Sequence, residues 1–183
     1  MIIVMKKNLL ILSAFLLGLG SLSAQHLSTS KGQSSLGIGL GLPYGGIGMK
    51  LGYNTSDHVT FFGGLGYNMV GIGANGGIQL SIPSEKQSEF YFTGMYGYNS
   101  VIISKDNSVM GGIFAGPSFG IGLKINSMST KGNYWDVGLL GPIRSQKYKN
   151  AIQEIERSRK MRLESKPWPV LFYFGYNYSI SKQ

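Results

Sequence analysis

The sequence predicts an all-β protein: an eight-stranded antiparallel up-and-down transmembrane β-barrel, with one helical insert between strands 7 and 8. Three observations carry this expectation. Along most of the chain large apolar residues recur at every second position, the period at which the side chains of a strand alternate faces. The opposite face holds Gly, Ser, Asn, Gln and Thr, where a soluble strand would turn Lys and Glu to water. Glycine, at 28 of 183 residues, stands at about twice its usual share of roughly 7%, beside 11 Tyr and 9 Phe and with only 14% charged residues.

That length suits one domain with a real core. There is no cysteine, so a disulfide framework, a thiolate metal site and a lipid-modified N-terminal Cys are all excluded. The formal net charge of +9 is unevenly spread. Arg144–Lys166 carries eight Lys/Arg against three Glu, whereas the rest of the chain after residue 24 is close to balanced.

Residues 1–24 read as a secretory signal peptide. Lys6 and Lys7 precede the apolar run Leu9–Leu19, and the small residues Gly20, Ser21, Ser23 and Ala24 follow. The run is shorter than the ~20 residues of a spanning helix. Cleavage is expected after Ala24, or one residue earlier, leaving a polar arm, 25–33, ahead of a barrel domain at 34–183.

The strands follow in order. In the first, Leu36, Ile38, Leu40 and Leu42 alternate with glycines; Pro43-Tyr44-Gly45-Gly46 is a turn signal. Ile47, Met49, Leu51 and Tyr53 form the second, and Asn54–Asp57 turns the chain. Val59, Phe61, Leu65 and Tyr67 form the third, with Phe62 an exception on the small face. The fourth, Val70–Ile82, sets Val70, Ile72, Ala74, Ile78, Leu80 and Ile82 against Gly71, Gly73, Asn75, Gly77, Gln79 and Ser81. The fifth is Glu89–Asn99, with Phe90, Phe92, Tyr96 and Tyr98 on one face and Tyr91, Thr93, Met95 and Asn99 on the other. The sixth is Val109–Ile125, where Gly116-Pro117 suggests a bulge because proline cannot donate to the ladder. The seventh is Tyr134–Leu140 and the eighth Trp168–Ile180. Between those two, 144–166 has no Gly or Pro, and Tyr148, Ile152, Ile155 and Leu163 recur at helical spacing.

Two barrels share this pattern. A soluble secreted or periplasmic barrel would line a pocket for an apolar ligand with its apolar face. A transmembrane barrel turns that face to lipid and fills its lumen with small and polar groups. The glycine-paved second face suits a narrow lumen better than a water-facing exterior. Tyr44, Tyr53, Tyr67, Phe90, Tyr98, Trp135, Trp168 and Tyr178 lie near strand ends, where interfacial girdles are expected.

The leader ending SLSAQ, the GxGxG strands and the aromatic-rich last strand resemble small outer-membrane β-barrel proteins of the OmpA-like or opacity-like kind, in particular the Bacteroidetes type. The resemblance covers about residues 34–181. It implies a porin-like fold in the outer membrane of a Gram-negative bacterium, inserted by the barrel-assembly machinery and contacting outer-membrane lipid. Such barrels usually end on an aromatic residue, whereas this chain ends Ile180-Ser181-Lys182-Gln183.

Candidate chemistry is sparse. Gly71–Gly76 matches GxGxxG, but the strand alternation runs through it and no helix follows, so it is a glycine-rich strand. His58, beside Asp57 and Ser56, is the one local analogue of a lipid-modifying outer-membrane enzyme; a turn histidine is the simpler reading. No metal spacing, catalytic set or cofactor is implied, and the expected role is non-enzymatic, structural or surface-interacting. Lys50, Glu89, Lys124 and Asp136 fall on the lumen face, where charges must be paired or hydrated. Arg144, Lys147, Lys149, Arg157, Arg159, Lys160, Arg162 and Lys166 form a basic interaction loop. With a periplasmic N-terminus an even strand count puts this loop outside the cell, facing lipopolysaccharide phosphates or a partner protein. Nucleic-acid binding is a poor fit for an exported chain without a stacking-aromatic motif.

Overall fold

A computed structural model describes residues 31–84, 87–102, 112–157 and 168–180, without the side chains of 102 and 154–157. The expected leader, 1–24, and Val109, the expected start of strand 6, lie outside the described residues. Eight strands follow in chain order: β1 (Ser34–Gly41), β2 (Gly46–Asn54), β3 (Val59–Tyr67), β4 (Ile72–Ile82), β5 (Ser88–Ile102), β6 (Gly112–Asn126), β7 (Tyr134–Pro142) and β8 (Leu171–Ser179). Each pairs antiparallel with its neighbours, and β8 returns to β1 with Ser35 opposite Ser179 and Leu40 opposite Phe174, closing the barrel. Closure leaves no unpaired strand edge. One helix, α1 (Gln146–Arg157), stands in the β7–β8 connection; Ser145 caps it, its Oγ accepting from the Tyr148 backbone N–H at 3.4 Å.

The period-two pattern settles which face is which. Ile38, Ile47, Leu65, Ile72, Phe92, Ile121, Leu139 and Phe172 all stand exposed on the outside. Lys50, Gln79, Glu89, Lys124, Asp136 and Asn177 are buried inside. An interior of this kind does not form the apolar pocket that a soluble ligand-binding barrel would need.

Several boundaries differ from the sequence expectation for local reasons. Strand β4 starts at Ile72 rather than Val70, because the Asn68 side chain accepts the backbone N–H groups of Val70 and Gly71 and holds them in a turn. Strand β8 starts at Leu171, after a bend at Pro169-Val170. The expected bulge at Gly116-Pro117 lies one strand over: Tyr98 faces Ala115 and Ser100 faces Phe114, so Asn99 is the extra residue, in β5. Pro117 instead sits just past the β6–β7 ladder, which begins at Ser118 opposite Pro142.

The largest departure concerns Pro43-Tyr44-Gly45-Gly46. It is a turn, as expected, but Leu42–Tyr44 form a short 3-10 turn whose three residues are all buried within the barrel. Gly45 (φ 73°) and Gly46 (φ 111°) make the sharp return that L side chains rarely adopt. Tyr44 is therefore wholly buried rather than part of an interfacial girdle, and Tyr98, turned inward at the bulge, is 9% exposed. Of the other named girdle residues, Tyr53, Tyr67, Phe90, Trp135 and Tyr178 are exposed on the outside, and Trp168 is exposed at the barrel mouth.

The inserted turn explains the glycines. Opposite residues in register give one row around the interior: Gly175, Gly39, Gly48, Gly66 and Gly73, on β8, β1, β2, β3 and β4. A Cβ on Gly39 would lie 2.9 Å from the Tyr44 ring, and one on Gly66 would lie 2.5 Å from the Tyr44 carbonyl oxygen. The neighbouring Gly64 lies against the Pro43 carbonyl, whereas a Cβ on outward-facing Gly63 would meet nothing closer than 4.0 Å. Gly64→Ala is therefore expected to destabilise the barrel by about 1–3 kcal/mol through overpacking, and Gly63→Ala to leave it unchanged or slightly firmer. Urea unfolding of the two variants side by side measures the difference.

Candidate functional site

The interior is built around one carboxylate. On β7, Tyr134, Asp136, Gly138 and Leu140 point inward, while Trp135, Val137 and Leu139 lie on the outer face. Asp136 is completely buried. Its Oδ2 pairs with the Lys50 ammonium on β2 and accepts from the Tyr44 hydroxyl at 3.1 Å; its Oδ1 accepts from the Tyr91 hydroxyl on β5. Tyr91 and Tyr173 then share a hydrogen bond of 2.6 Å, and Asn177 Nδ2 donates to the Tyr44 oxygen at 3.0 Å. The Lys50 ammonium also lies 5.0 Å from the Tyr44 ring centre. An unpaired charge in such an enclosure would be very costly; here each charge has a partner and further hydrogen bonds.

The row containing the five glycines continues into Glu89, Lys124 and Asp136, opposite one another across β5, β6 and β7. Within this row charged side chains stand on β5, β6 and β7, and bare backbone on the other five strands receives the inserted turn. Lys124 forms the second pair, donating to Ser81 Oγ at 3.0 Å and to Glu89 Oε1 at 3.4 Å, with Tyr91 and Tyr134 rings each 5.7 Å away. Asn75 Nδ2 holds the turn itself through the Leu42 carbonyl at 2.6 Å. The four interior charges named from the sequence thus fall into two pairs, Lys50–Asp136 and Lys124–Glu89, the ion pairs found among the described residues. Sequence parity also places Tyr91 and Tyr173 inside. Tyr44 carried no such signal, because it lies in a turn and has no strand parity.

The basic loop is partly described. Lys147 and Lys149 are exposed on α1, while Arg144 precedes the helix with its guanidinium 5.5 Å from the Tyr148 ring centre and its Nη2 donating to the Trp168 carbonyl. Tyr148 is buried and meets Phe114 edge-on at 5.3 Å. Burial pushes its phenol above the ordinary tyrosine range, against the pull of Arg144. The Arg157 side chain and all of Arg159, Lys160, Arg162 and Lys166 lie outside the described residues. His58 stands exposed at the β2–β3 turn, its Nδ1 at 3.4 Å from the Ser81 carbonyl oxygen and its backbone N–H at 3.4 Å from Ser56 Oγ. Those contacts are those of a turn residue.

The closed ladder, inward charges and outward apolar side chains define the class: an eight-stranded up-and-down β-barrel with a filled polar interior. No protein-family model and no curated protein matches the chain. Among solved structures it is similar to the N-terminal β-barrel domain of Pseudomonas aeruginosa OprF, at 15% identity and a TM-score of 0.46, over 82% of this chain and 100% of that one. The barrel assignment stands on its own strand register.

Asp136→Asn keeps an acceptor for the two tyrosines but leaves the Lys50 ammonium uncompensated. Its expected cost is about 3–5 kcal/mol, part of which Lys50→Met in the same chain should restore. Urea unfolding of the single and double variants reads both values.

Proposed function

We propose that this chain is an outer-membrane β-barrel of a Gram-negative bacterium, exported by its leader, with a non-enzymatic structural or surface-interaction role. The observation that carries the reading is the exterior. Large apolar side chains cover all eight strands, among them Ile47 at 64%, Ile72 at 72% and Phe90 at 65% exposure. Soluble monomers rarely expose apolar patches beyond a few hundred Å². In lipid the same surface is solvated, and a closed barrel satisfies its own backbone hydrogen bonds. The finer type, OmpA-like or opacity-like and of Bacteroidetes character, and assembly by the barrel-insertion machinery belong to the same proposal. So does a division at 34 between arm and barrel.

With the N-terminus in the periplasm, the inserted β1–β2 turn and the α1 connection lie at the outer end. The partner we propose for the basic loop is lipopolysaccharide, through its phosphates; Lys147 and Lys149 are the exposed cations of its described part.

Two measurements test these readings. Unboiled protein from the membrane fraction should resist SDS and change apparent mass only on heating; recovery in the soluble periplasmic fraction without a heat shift would overturn the membrane assignment. Lys147→Gln with Lys149→Gln should weaken binding to lipopolysaccharide-bearing vesicles by roughly tenfold or more at low salt, at ~1 kcal/mol per cation, with the difference fading as salt rises. Equal binding by both forms would remove lipopolysaccharide as the partner and leave a protein as the loop's target.

A further inference from the structure

The wall of the barrel is uneven at its outer end. Because the Leu42–Tyr44 turn is folded inside, the β1–β2 wall stops at Gly41 opposite Gly46. Strands β5 and β6 stay paired as far as Ile102 opposite Gly112, beyond the bulge. Two cavities meet over the low side. One, of about 250 Å³, is lined by Leu40, Ile47, Tyr67 and Met69, all of them exposed. Leu40 lies opposite Ile47 and Ile47 opposite Tyr67, so these three form one row of the apolar outer wall. The other, of about 420 Å³, is lined by Leu171 together with Tyr148 and Trp168 of the β7–β8 connection, a volume within the range of small-molecule pockets.

Gly41, Tyr98 and Val101 line both cavities, so the two adjoin. Val101 and Leu171 are only partly buried, and both pack against the apolar cluster of the interior. Accessible apolar surface therefore runs without a break from the outer wall, over the rim at Gly41, into the barrel mouth. Whatever solvates Leu40 and Ile47 has access to this groove, and in the reading proposed above that solvent is lipid. The charge beside the groove fits one kind of lipid. Arg144 is the only charged residue among those lining the larger cavity, and Lys147 and Lys149 stand exposed on either side of Tyr148 in α1. Cations at headgroup level next to an apolar groove favour an anionic lipid.

We infer that one acyl chain of a lipopolysaccharide molecule leaves the surrounding lipid at Leu40 and Ile47, crosses the rim at Gly41 and lies along Val101 and Leu171, while its phosphates stay with the cations of the β7–β8 connection. The inference rests on the membrane and lipopolysaccharide readings above and adds to them a seat for the chain. The inward fold of the β1–β2 turn is the device that makes this seat. A turn standing above β1 and β2 would close the wall between the lipid and the mouth; folded in, it fills the lumen and lowers the rim in one step.

Photo-crosslinking locates the chain. The full protein is placed in phosphatidylcholine nanodiscs holding a small fraction of bisphosphorylated lipid A with a diazirine on one acyl chain, irradiated, and mapped by mass spectrometry. In a parallel sample the same diazirine chain is carried by phosphatidylcholine. Ile121, exposed on the outer face of β6, reports the ordinary lipid layer. The lipid A probe is expected to label Val101 and Leu171 as well as Ile121, and the phosphatidylcholine probe to label Ile121 alone. Val101→Trp, which fills the stretch common to both cavities, should remove the Leu171 label and leave that on Ile121 unchanged, with retained heat-modifiability in SDS showing that the variant is folded. Lipid A label confined to Ile121, while vesicle binding still depends on Lys147 and Lys149, overturns the groove and leaves the basic loop's reading standing. Equal labelling of Leu171 by the two probes overturns lipopolysaccharide as the occupant. A protein that does not enter nanodiscs overturns both this inference and the membrane assignment.

Discussion

The Asp136 carboxylate is the group on which the interior depends. A single buried anion draws together Lys50 from β2, Tyr91 from β5 and Tyr44 from the inserted turn, while Tyr173 and Asn177 from β8 secure the two tyrosines. Elements far apart in sequence are thereby tied at one point inside the barrel. Charge in a low-dielectric enclosure is costly unless paired and hydrogen-bonded, so this arrangement specifies one packing of the lumen rather than merely favouring a closed sheet.

The position of Tyr44 imposes a steric condition on the opposite wall. Its ring and the backbone of the turn lie so near β8, β1, β2 and β3 that a methyl group at Gly39, Gly64, Gly66 or Gly175 would collide. Glycine on those strands is thus the complement of the plug. The same logic recurs on the other side, where Gly122 and Gly138 lie beneath the Tyr91 and Tyr173 rings. The small face is full because its occupants come from the facing wall and from the turn.

At the outer rim the rules change. There the β-bulge in β5 ends the regular alternation, and the β7–β8 connection brings Arg144, Tyr148 and Trp168 over the barrel mouth.

Period two in side-chain size, read along the chain, determined the strand count, the apolar exterior and the inward placement of Lys50, Glu89, Lys124, Asp136, Tyr91 and Tyr173, because side-chain parity in a strand is a local property. The helical composition after Arg144 likewise announced α1. Three things were decided only in three dimensions. Tyr44 sits in a turn without parity, so its burial follows from a barrel interior that the glycines leave open. The pairing of Lys50 with Asp136 depends on strand register and plug position, which span 86 residues of sequence separation. The bulge at Asn99 arises from a mismatch between two paired strands, a quantity that neither strand carries alone. Local alternation is written in each strand; what fills the space between strands depends on all eight at once.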